Sequence, residues 1–274
     1  MKFDASVEPA QPRAKGDAQI TVRQVSGVTR LSRFYQAGSS KMMTPKASVS
    51  GLDCVLVNTA GGVTGGDAFS FTATAEADTR LTLTTQAAER AYKAQPGSTG
   101  AIQNQLRIEK DARIDWLPQE TIFFEGASIM RRLEIDLHES ATLLAVEPVI
   151  LGRPAMGEKI HNLRYSDQWR VRKGGRLIFA DAVRVVGDAD QISNRLATLN
   201  GAGAYANLLY VSPEADAFLD PLRNLMNGFG GVSRIRPGVL AARLVAATGF
   251  ELRRKLIPAM EHLRGCNLPK VWSL

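Results

Sequence analysis

The sequence is poor in the residues that build disulfide frameworks and metal cages. It contains two cysteines, Cys54 and Cys266, and three histidines in 274 residues. Two cysteines cannot form the disulfide network of a small secreted domain. No H-x-H, C-x-x-C or H-E-x-x-H spacing is present, so no stable metal site is expected. We therefore predict no tightly bound cofactor.

Long apolar runs are also missing. No run approaches the roughly 20 residues of a membrane-spanning helix, and the best stretch, 143–151, is interrupted by Glu147 and Pro148. The first residues, 1–9, have no apolar segment of the kind that secretory signals carry. We expect a cytoplasmic protein that does not associate with membranes.

Signatures of nucleophilic catalysis are absent as well. There is no G-x-S-x-G elbow, and the three histidines (His138, His161 and His262) lie in no catalytic pattern. Cys54 belongs to an apolar strand and is expected in the core, whereas Cys266 has basic neighbours but no local partner. The sequence thus indicates a protein that is not an enzyme.

The most conspicuous motif is a glycine-rich segment at 58–67, Asn-Thr-Ala-Gly-Gly-Val-Thr-Gly-Gly-Asp. Its spacing matches neither dinucleotide-binding nor P-loop glycine patterns. The next segment alternates as a strand, so no helix N-terminus is offered to an anion. We predict a strand-to-strand loop, and a nucleotide-binding enzyme that uses loop 61–66 stays open as an alternative.

Charge is distributed unevenly. Residues 1–221 carry 25 basic and 25 acidic side chains, whereas residues 222–274 carry nine basic side chains against Glu251 and Glu261. The net charge of +7 therefore comes entirely from the last quarter of the chain. Such asymmetry favours an acidic partner. A nucleic-acid-binding module that uses this basic quarter is a second alternative, although no zinc finger or aromatic RNA motif accompanies it.

Apolar residues alternate with a period of two along most of the chain, as in 69–77, 81–84, 133–138 and 177–183. This pattern is typical of half-buried strands. Helical periodicity appears at 215–226 and again at 252–263, where Pro258 should kink or divide the helix. We predict a loose N-terminal arm over 1–18 and a single β-rich domain over 19–274, with a basic helical region at 215–274.

Five sequence blocks, in order, resemble those of one family, the urease accessory proteins UreD (also called UreH). The blocks are 58–67, Leu-Thr-Thr-Gln-Ala-Ala-Glu-Arg-Ala-Tyr at 83–92, Leu-Pro-Gln-Glu within 116–127, Gly-Arg-Pro-Ala-Met-Gly-Glu at 152–158, and Leu-Pro-Lys-Val-Trp at 268–272. Lys270 stands where the family usually has arginine. The residues that carry the resemblance are Asn58, Gly61, Gly62, Gly65, Gly66, Asp67, Thr84, Thr85, Gln86, Tyr92, Pro118, Gln119, Glu120, Gly152, Arg153, Glu158, Pro269 and Trp272.

The resemblance implies a mainly β fold of helically stacked strands with two helices toward the C-terminus. It also implies a non-enzymatic chaperone that binds urease apoprotein on one side and UreF on the other. UreF in turn recruits the GTPase UreG, whose GTP hydrolysis accompanies nickel delivery. Nickel would be cargo in transit through an internal passage, not a resident cofactor.

Two groups of residues follow as candidates. Histidine and cysteine hold nickel strongly, so their scarcity suits transit, and carboxylates in or beside the blocks are the candidate passage residues: Asp67, Glu120, Glu147 and Glu158. The apolar stripe of the last helix must be buried, either on the chain's own core or in a partner's groove. We predict a UreF interface formed by Leu252, Arg253, Leu256, Met260 and Leu263.

Overall fold

A computed structural model describes residues 12–45, 51–153 and 156–273. Two β-sheets form the body of the protein. The first sheet has seven strands, here given in their order across the sheet: β14 (Arg176–Gly187), β13 (Leu163–Lys173), β11 (Ser128–Leu137), β8 (Gly100–Ile108), β5 (Ala68–Ala75), β1 (Lys15–Val25) and β2 (Val28–Gly38).

The second sheet has ten strands. Eight follow one another across it: β16 (Gly230–Arg236), β17 (Val239–Ala246), β15 (Ala204–Val211), β12 (Thr142–Leu151), β9 (Arg113–Leu117), β6 (Arg80–Thr85), β4 (Leu52–Asn58) and β3 (Ser40–Met43). Two short strands, β7 (Glu89–Ala91) and β10 (Thr121–Phe123), pair with each other, and β10 also pairs with β12.

The chain alternates between the sheets from β4 to β13. Within each sheet the successive strands of this stretch pair in parallel, as β5 with β8 and β8 with β11 in the first sheet, and β6 with β9 and β9 with β12 in the second. Antiparallel strands extend both sheets at their ends. The strands are therefore stacked as successive coils, and the predicted mainly β fold is confirmed.

The period-two pattern explains how the second sheet is covered on both faces. In β9, Ile114 and Trp116 point into the space between the sheets, whereas Leu117 belongs to the core on the opposite face. β6 follows the same rule, with Leu81 and Leu83 on the inner side. A strand that is covered on both faces reads as nearly continuous apolar sequence, as 143–146 does.

Helices α2 (Leu219–Leu225) and α3 (Gly249–Arg264) cover the outer face of the second sheet. The Thr248 side chain accepts a hydrogen bond from the Glu251 N–H and starts α3, and Gly265 ends it in the left-handed conformation. Pro258 does not divide the helix as the sequence suggested, since α3 is continuous through it. A short helix α1 (Ala189–Ser193) and 3₁₀ turns at Ala215–Phe218 and Lys270–Trp272 complete the helical elements of the described chain.

The predicted boundary of the N-terminal arm needs correction. We predicted a loose arm over 1–18, but β1 begins at Lys15, and its first residues pair with both β2 and β5. The polar residues Lys15, Gly16 and Asp17 obscured this start. Residues 1–11 lie outside the described part. No helix within the described ranges has the length and apolar character needed to cross a membrane.

Candidate functional site

A cavity of about 290 Å³ lies between the two sheets. It forms where the second sheet is interrupted, because β9 ends at Leu117 and β10 begins only at Thr121. Across this gap runs β12 with Pro148, a residue that has no N–H for a ladder hydrogen bond. The break opens the sheet at Pro118 and Gln119, which line the cavity.

Arg131 and Glu147 line this cavity, and together with Asp167, which pairs with Arg131, they form a charged group that we call the inner cluster. Arg131 Nη2 lies 2.8 Å from Glu147 Oε2 and 2.7 Å from Asp167 Oδ2. All three side chains are buried, with Glu147 only 1% exposed. The indole N–H groups of Trp116 and Trp169 donate to the two oxygens of Glu147. One guanidinium thus serves two buried carboxylates.

The pKa of Glu147 reflects its burial and the presence of one guanidinium for two carboxylates. Burial raises the pKa of Glu147 to about 7; Arg131 counters the effect, and the neighbouring Asp167 adds to it. When both carboxylates are ionised, the inner cluster carries one negative charge in excess. Because the pKa of Glu147 is raised, this excess negative charge is present only when Glu147 has released its proton.

A second carboxylate, Glu89, lines the same cavity. The Asn58 amide donates to both of its oxygens, at 3.2 and 3.1 Å, and the same amide also donates to the Gly62 carbonyl. Burial raises the pKa of Glu89, and the hydrogen bond from Asn58 opposes that rise. No ion pair to Glu89 occurs among the described residues. The first and second sequence blocks therefore meet at a carboxylate that has a hydrogen-bond donor in Asn58 but no ion-pair partner among the described residues.

Sequence reasoning missed Glu89, Arg131 and Asp167, although a signal for two of them was present. Arg131 lies in the apolar phase of β11, in line with Leu133 and Ile135, and Asp167 lies in line with Trp169. A charged residue in the inward phase of an alternating strand indicates a buried ion pair. Glu89 is not among the residues that carry the family resemblance, so the motif gave no reason to select it.

The third and fifth blocks meet the last helix in a contact that we call the C-terminal latch: Gln119, Glu120, Arg253 and Trp272. Arg253 donates to the Glu120 carboxylate, with Nη2 2.9 Å from Oε2, and to the Gln119 side-chain oxygen at 2.7 Å. The Trp272 indole donates to Thr84 Oγ1, and its ring lies 5.1 Å from the Arg253 guanidinium carbon. Three distant segments are thereby held together at the sheet break.

The four predicted passage carboxylates do not share one site. Glu147 lines the cavity, whereas Glu120 is bound to Arg253 in the latch. Asp67 closes the glycine-rich loop by accepting from the N–H groups of Ala14 and Thr64, both at 2.8 Å. Glu158 pairs with Arg153 at 2.7 Å, near the protein surface. Asp67, Glu120 and Glu158 thus do not line the cavity, and each is engaged in hydrogen bonds or an ion pair of the fold; their passage assignment stays a prediction.

The glycine-rich segment is a strand-to-strand loop, as predicted, since it joins β4 to β5. Gly62 has a φ of +154°, and a Cβ there would lie 2.4 Å from the Tyr92 ring and 2.7 Å from the Arg90 carbonyl oxygen. Tyr92 also packs edge-on against Phe124, over which Arg153 lies at 4.6 Å. The loop glycines therefore serve packing between blocks, and a strand, not a helix, follows them.

The predicted interface on the last helix also needs correction. Leu252, Leu256, Met260 and Leu263 are buried against the chain's own second sheet, and Arg253 is held in the latch. Of the two alternatives for the stripe, the chain's own core is the one that the structure realises. Sequence pattern could not separate them, because a helix face that packs on its own sheet and one that packs on a partner are equally apolar.

The basic excess of the last quarter is largely neutralised within the fold. Five of its nine basic side chains form ion pairs with carboxylates: Arg223, Arg234, Arg243, Arg253 and Arg264. All five of these carboxylates belong to the first 221 residues: Asp115, Glu120, Asp181, Asp216 and Asp220. The charge asymmetry along the sequence is therefore in large part an asymmetry between segments that pair with each other.

No group of three or more His, Cys, Asp or Glu side chains in the described ranges is arranged to hold a metal ion. The cavity instead offers two separate carboxylates, Glu89 and Glu147, together with amide and hydroxyl groups of Asn58, Gln119 and Thr121. Oxygen donors of this kind bind a borderline divalent cation more weakly than imidazole or thiolate does.

Comparison with known proteins places the chain in one family. A family model described as "UreD urease accessory protein" matches residues 14–273. The "Urease accessory protein UreD" of Ruegeria pomeroyi is 44% identical over 93% of this chain and 100% of its own length. Its namesake in Roseobacter denitrificans is 45% identical over 96% of each chain, and that of Rhizobium rhizogenes is 44% identical over 98% of each. The chain therefore belongs to the UreD family of urease accessory proteins.

Proposed function

We propose that this protein is a non-enzymatic assembly factor of urease maturation that admits nickel into the cavity between its sheets and passes it toward urease apoprotein. The observation that carries the proposal is the convergence of four of the five family blocks around that cavity or its rim. Asn58, Thr85, Gln86 and Gln119 line the cavity, and Trp272 closes the sheet break from outside. Nickel is the cargo here and not a resident cofactor.

The two carboxylates of the cavity support this proposal. Glu89 and Glu147 line its wall, and the cation nearest Glu147, Arg131, is shared with Asp167. Lys41 and Arg90 also line the cavity, so its lining as a whole has no net negative charge, and the proposed attraction of a divalent cation is confined to the surroundings of the two carboxylates, where burial strengthens it relative to bulk water. Two single carboxylates, each with its own hydrogen-bond donors, hold the ion briefly instead of caging it.

The proposed partners are urease apoprotein and UreF, with UreG joining through UreF and hydrolysing GTP. The buried stripe of α3 leaves the other face of that helix for UreF. Phe250 is 73% exposed at the start of α3. Beside it an open groove of about 360 Å³ is lined by residues of α3 and of the α2–β16 segment: Leu225, Phe229, Glu251, Arg254, Lys255 and Pro258. An exposed aromatic next to a groove with two basic side chains suits an acidic, apolar partner surface.

The two alternative functions receive less support. The strand that follows the glycine-rich loop offers no helix N-terminus to a phosphate, and Gly62 of the loop packs against Tyr92. The basic quarter, which favoured nucleic acid, has five of its nine charges in ion pairs. Neither alternative uses the two carboxylates of the cavity.

The test of nickel passage is co-expression of urease with its accessory proteins and a Glu89→Gln/Glu147→Gln variant of this chain. Glutamine keeps the size of each side chain and removes its charge, whereas lysine at 147 would place a second buried cation beside Arg131. We expect the nickel content of purified urease to fall about tenfold, the ratio that about 1.4 kcal/mol of lost cation attraction produces. Metal content is measured by mass spectrometry, and complex assembly by co-purification.

Glu158→Gln is the matched control, because Glu158 carries the same charge but lies away from the cavity and pairs with Arg153. It should leave the nickel content unchanged. A normal nickel content in the cavity variant would contradict the passage, and loss of the assembled complex would assign the two carboxylates to structure.

The UreF surface is tested by Phe250→Ser, which should weaken capture of purified UreF. Leu196→Ser is the control, since Leu196 is 85% exposed in the segment after α1. Equal capture of UreF by both variants would show that the start of α3 is not the contact.

A further inference from the structure

Strand β2 ends the first sheet, and its outer edge pairs with no other strand of the described chain. It is 11 residues long and follows β1 through the tight turn at Ser26 and Gly27. An edge of this length presents a row of backbone donors and acceptors that can pair with a further strand. Natural edges of this kind are usually short, covered or interrupted.

Exposed apolar side chains concentrate on this hairpin. Among the described residues, 13 large apolar side chains are exposed, and five of them fall within 25–35: Val25, Val28, Leu31, Phe34 and Tyr35. Single exposed apolar residues are ordinary on a protein surface, but contiguous ones mark an interaction site. The hairpin therefore differs from the rest of the described surface.

The register shows which face each side chain occupies. Phe34 pairs with Ile20 and Leu31 pairs with Val22, so both continue the inward-facing row of β1. Ile20 and Val22 are fully buried, whereas Leu31 is 39% and Phe34 is 38% exposed. The inner apolar face of the sheet thus extends one strand beyond the part that the described chain covers. A further strand on the edge of β2 would complete that cover.

The opposite face of the hairpin is basic. Arg33 pairs with Thr21 and Arg30 with Arg23, so these arginines share the outward-facing row. None of the three arginines forms an ion pair within the described ranges. The surrounding sequence has no acidic residue between Asp17 and Asp53, a stretch that carries five basic ones. Positive charge here is not neutralised locally, in contrast to the C-terminal quarter.

We propose that the free edge of β2 is a docking site for an extended acidic strand of a partner protein. Its apolar residues cover Leu31 and Phe34 on the inner face, and its carboxylates face Arg30 and Arg33 on the outer face. Strand addition supplies backbone hydrogen bonds, and alternate side chains supply specificity. A sequence in which acidic and apolar residues alternate has the period that this edge requires.

Charge argues against a second copy of this chain on the same edge. Two β2 strands in contact would bring arginines of both copies together, and like charges opposite each other destabilise a strand pair. Nucleic acid would satisfy the arginines, but it would leave the inward-facing Leu31 and Phe34 uncovered. A strand with carboxylates on one face and apolar residues on the other satisfies both rows.

The test uses the full chain and a synthetic, end-blocked ten-residue peptide of alternating glutamate and valine. Hydrogen exchange followed by mass spectrometry should show slower exchange over residues 25–38 when this peptide is added. Binding measured by fluorescence anisotropy should weaken about tenfold in the Arg30→Glu/Arg33→Glu variant, because the carboxylates lose their partners. A peptide with lysine in place of glutamate should bind this variant better than the wild-type chain.

The matched control is Arg176→Glu/Arg184→Glu on β14, the opposite edge of the same sheet, which should bind the acidic peptide as the wild type does. Equal binding of the acidic and basic peptides would overturn the proposal, as would protection confined to β14. A concentration-dependent dimer that protects β2 would assign the edge to a second copy. Peptide binding that appears only after removal of residues 1–11 would assign it to the chain's own N-terminus. Random-sequence DNA that protects 25–38 better than the peptide would assign it to nucleic acid.

Discussion

The inner cluster and the C-terminal latch are both built from arginine and buried carboxylate, yet they differ in their balance of charge. In the inner cluster Arg131 serves two carboxylates on a cavity wall. In the latch Arg253 serves one carboxylate, Glu120, and its remaining donors reach Gln119. The first arrangement keeps negative charge in excess beside an open space, and the second neutralises it.

A neighbouring contact under the C-terminal end of α3 extends the contrast. Arg264 and Arg113 both pair with Asp115, at 3.0 and 2.8 Å, so here two cations share one carboxylate. Arg113 also donates to the Leu263 carbonyl oxygen. The same two residue types thus fasten a helix in one place and line a cavity in another. The ratio of carboxylates to guanidinium groups is what differs between the two places.

The largest loss of folding stability is expected when Trp272 is removed from the C-terminal latch. Trp272 is buried against the second sheet, and its indole donates to Thr84 and to the Leu117 carbonyl. Trp272→Ala should lower the free energy of unfolding by about 3–5 kcal/mol, since it leaves a cavity and an unpartnered hydroxyl. Urea denaturation measures the change. Lys270 lies in the same turn but is exposed, and Lys270→Ala should change the free energy of unfolding by less than about 0.5 kcal/mol. Equal losses in the two variants would show that the latch does not stabilise the fold.

A smaller loss of folding stability is expected when Glu120 of the latch loses its ion-pair partner, Arg253. Arg253→Met leaves Glu120 buried without a cation, and we expect a loss of about 2–3 kcal/mol, reduced from the fully buried case because Arg253 is partly exposed. Arg253→Met/Glu120→Gln should recover part of this loss, because the unpaired charge is gone. A double variant as unstable as the single one would show that the contact is packing and not charge. Arg254→Met, on the exposed face of the same helix, is the control.

Sequence pattern predicted the fold well because the period-two signal is local and strong. The same pattern failed where the role of a residue depends on which surface packs against it in the folded protein. The stripe of Leu252 and Leu256 is equally apolar whether it meets its own sheet or a partner, and Lys15–Asp17 begins a strand with polar residues. For the site, Glu147 was selected because it lies beside a block, but Arg131 and Asp167 are brought together by parallel pairing of β11 with β13, which the sequence does not display.

The smallest predicted change in stability concerns the inner cluster and its dependence on pH. Burial raises the pKa of Glu147 from its ordinary 4.5 to about 7. Between these values the folded chain holds a proton that the unfolded chain has released, so this group's stabilising contribution decreases as pH rises and levels off above 7. Glu147→Gln has no such proton. The stability of the wild type relative to this variant should therefore fall by about 2 kcal/mol between pH 5.5 and 7.5.

Urea denaturation at a series of pH values measures this difference curve. Glu158→Gln provides the comparison, because Arg153 lowers the pKa of Glu158, and its contribution is lost only as pH falls below the ordinary carboxyl range. Its difference curve should be flat between pH 5.5 and 7.5. A flat curve for Glu147→Gln as well would mean that Arg131 keeps Glu147 ionised throughout, as Arg153 does for Glu158. The inner cluster would then hold a fixed charge, and nickel would enter the cavity without displacing a proton.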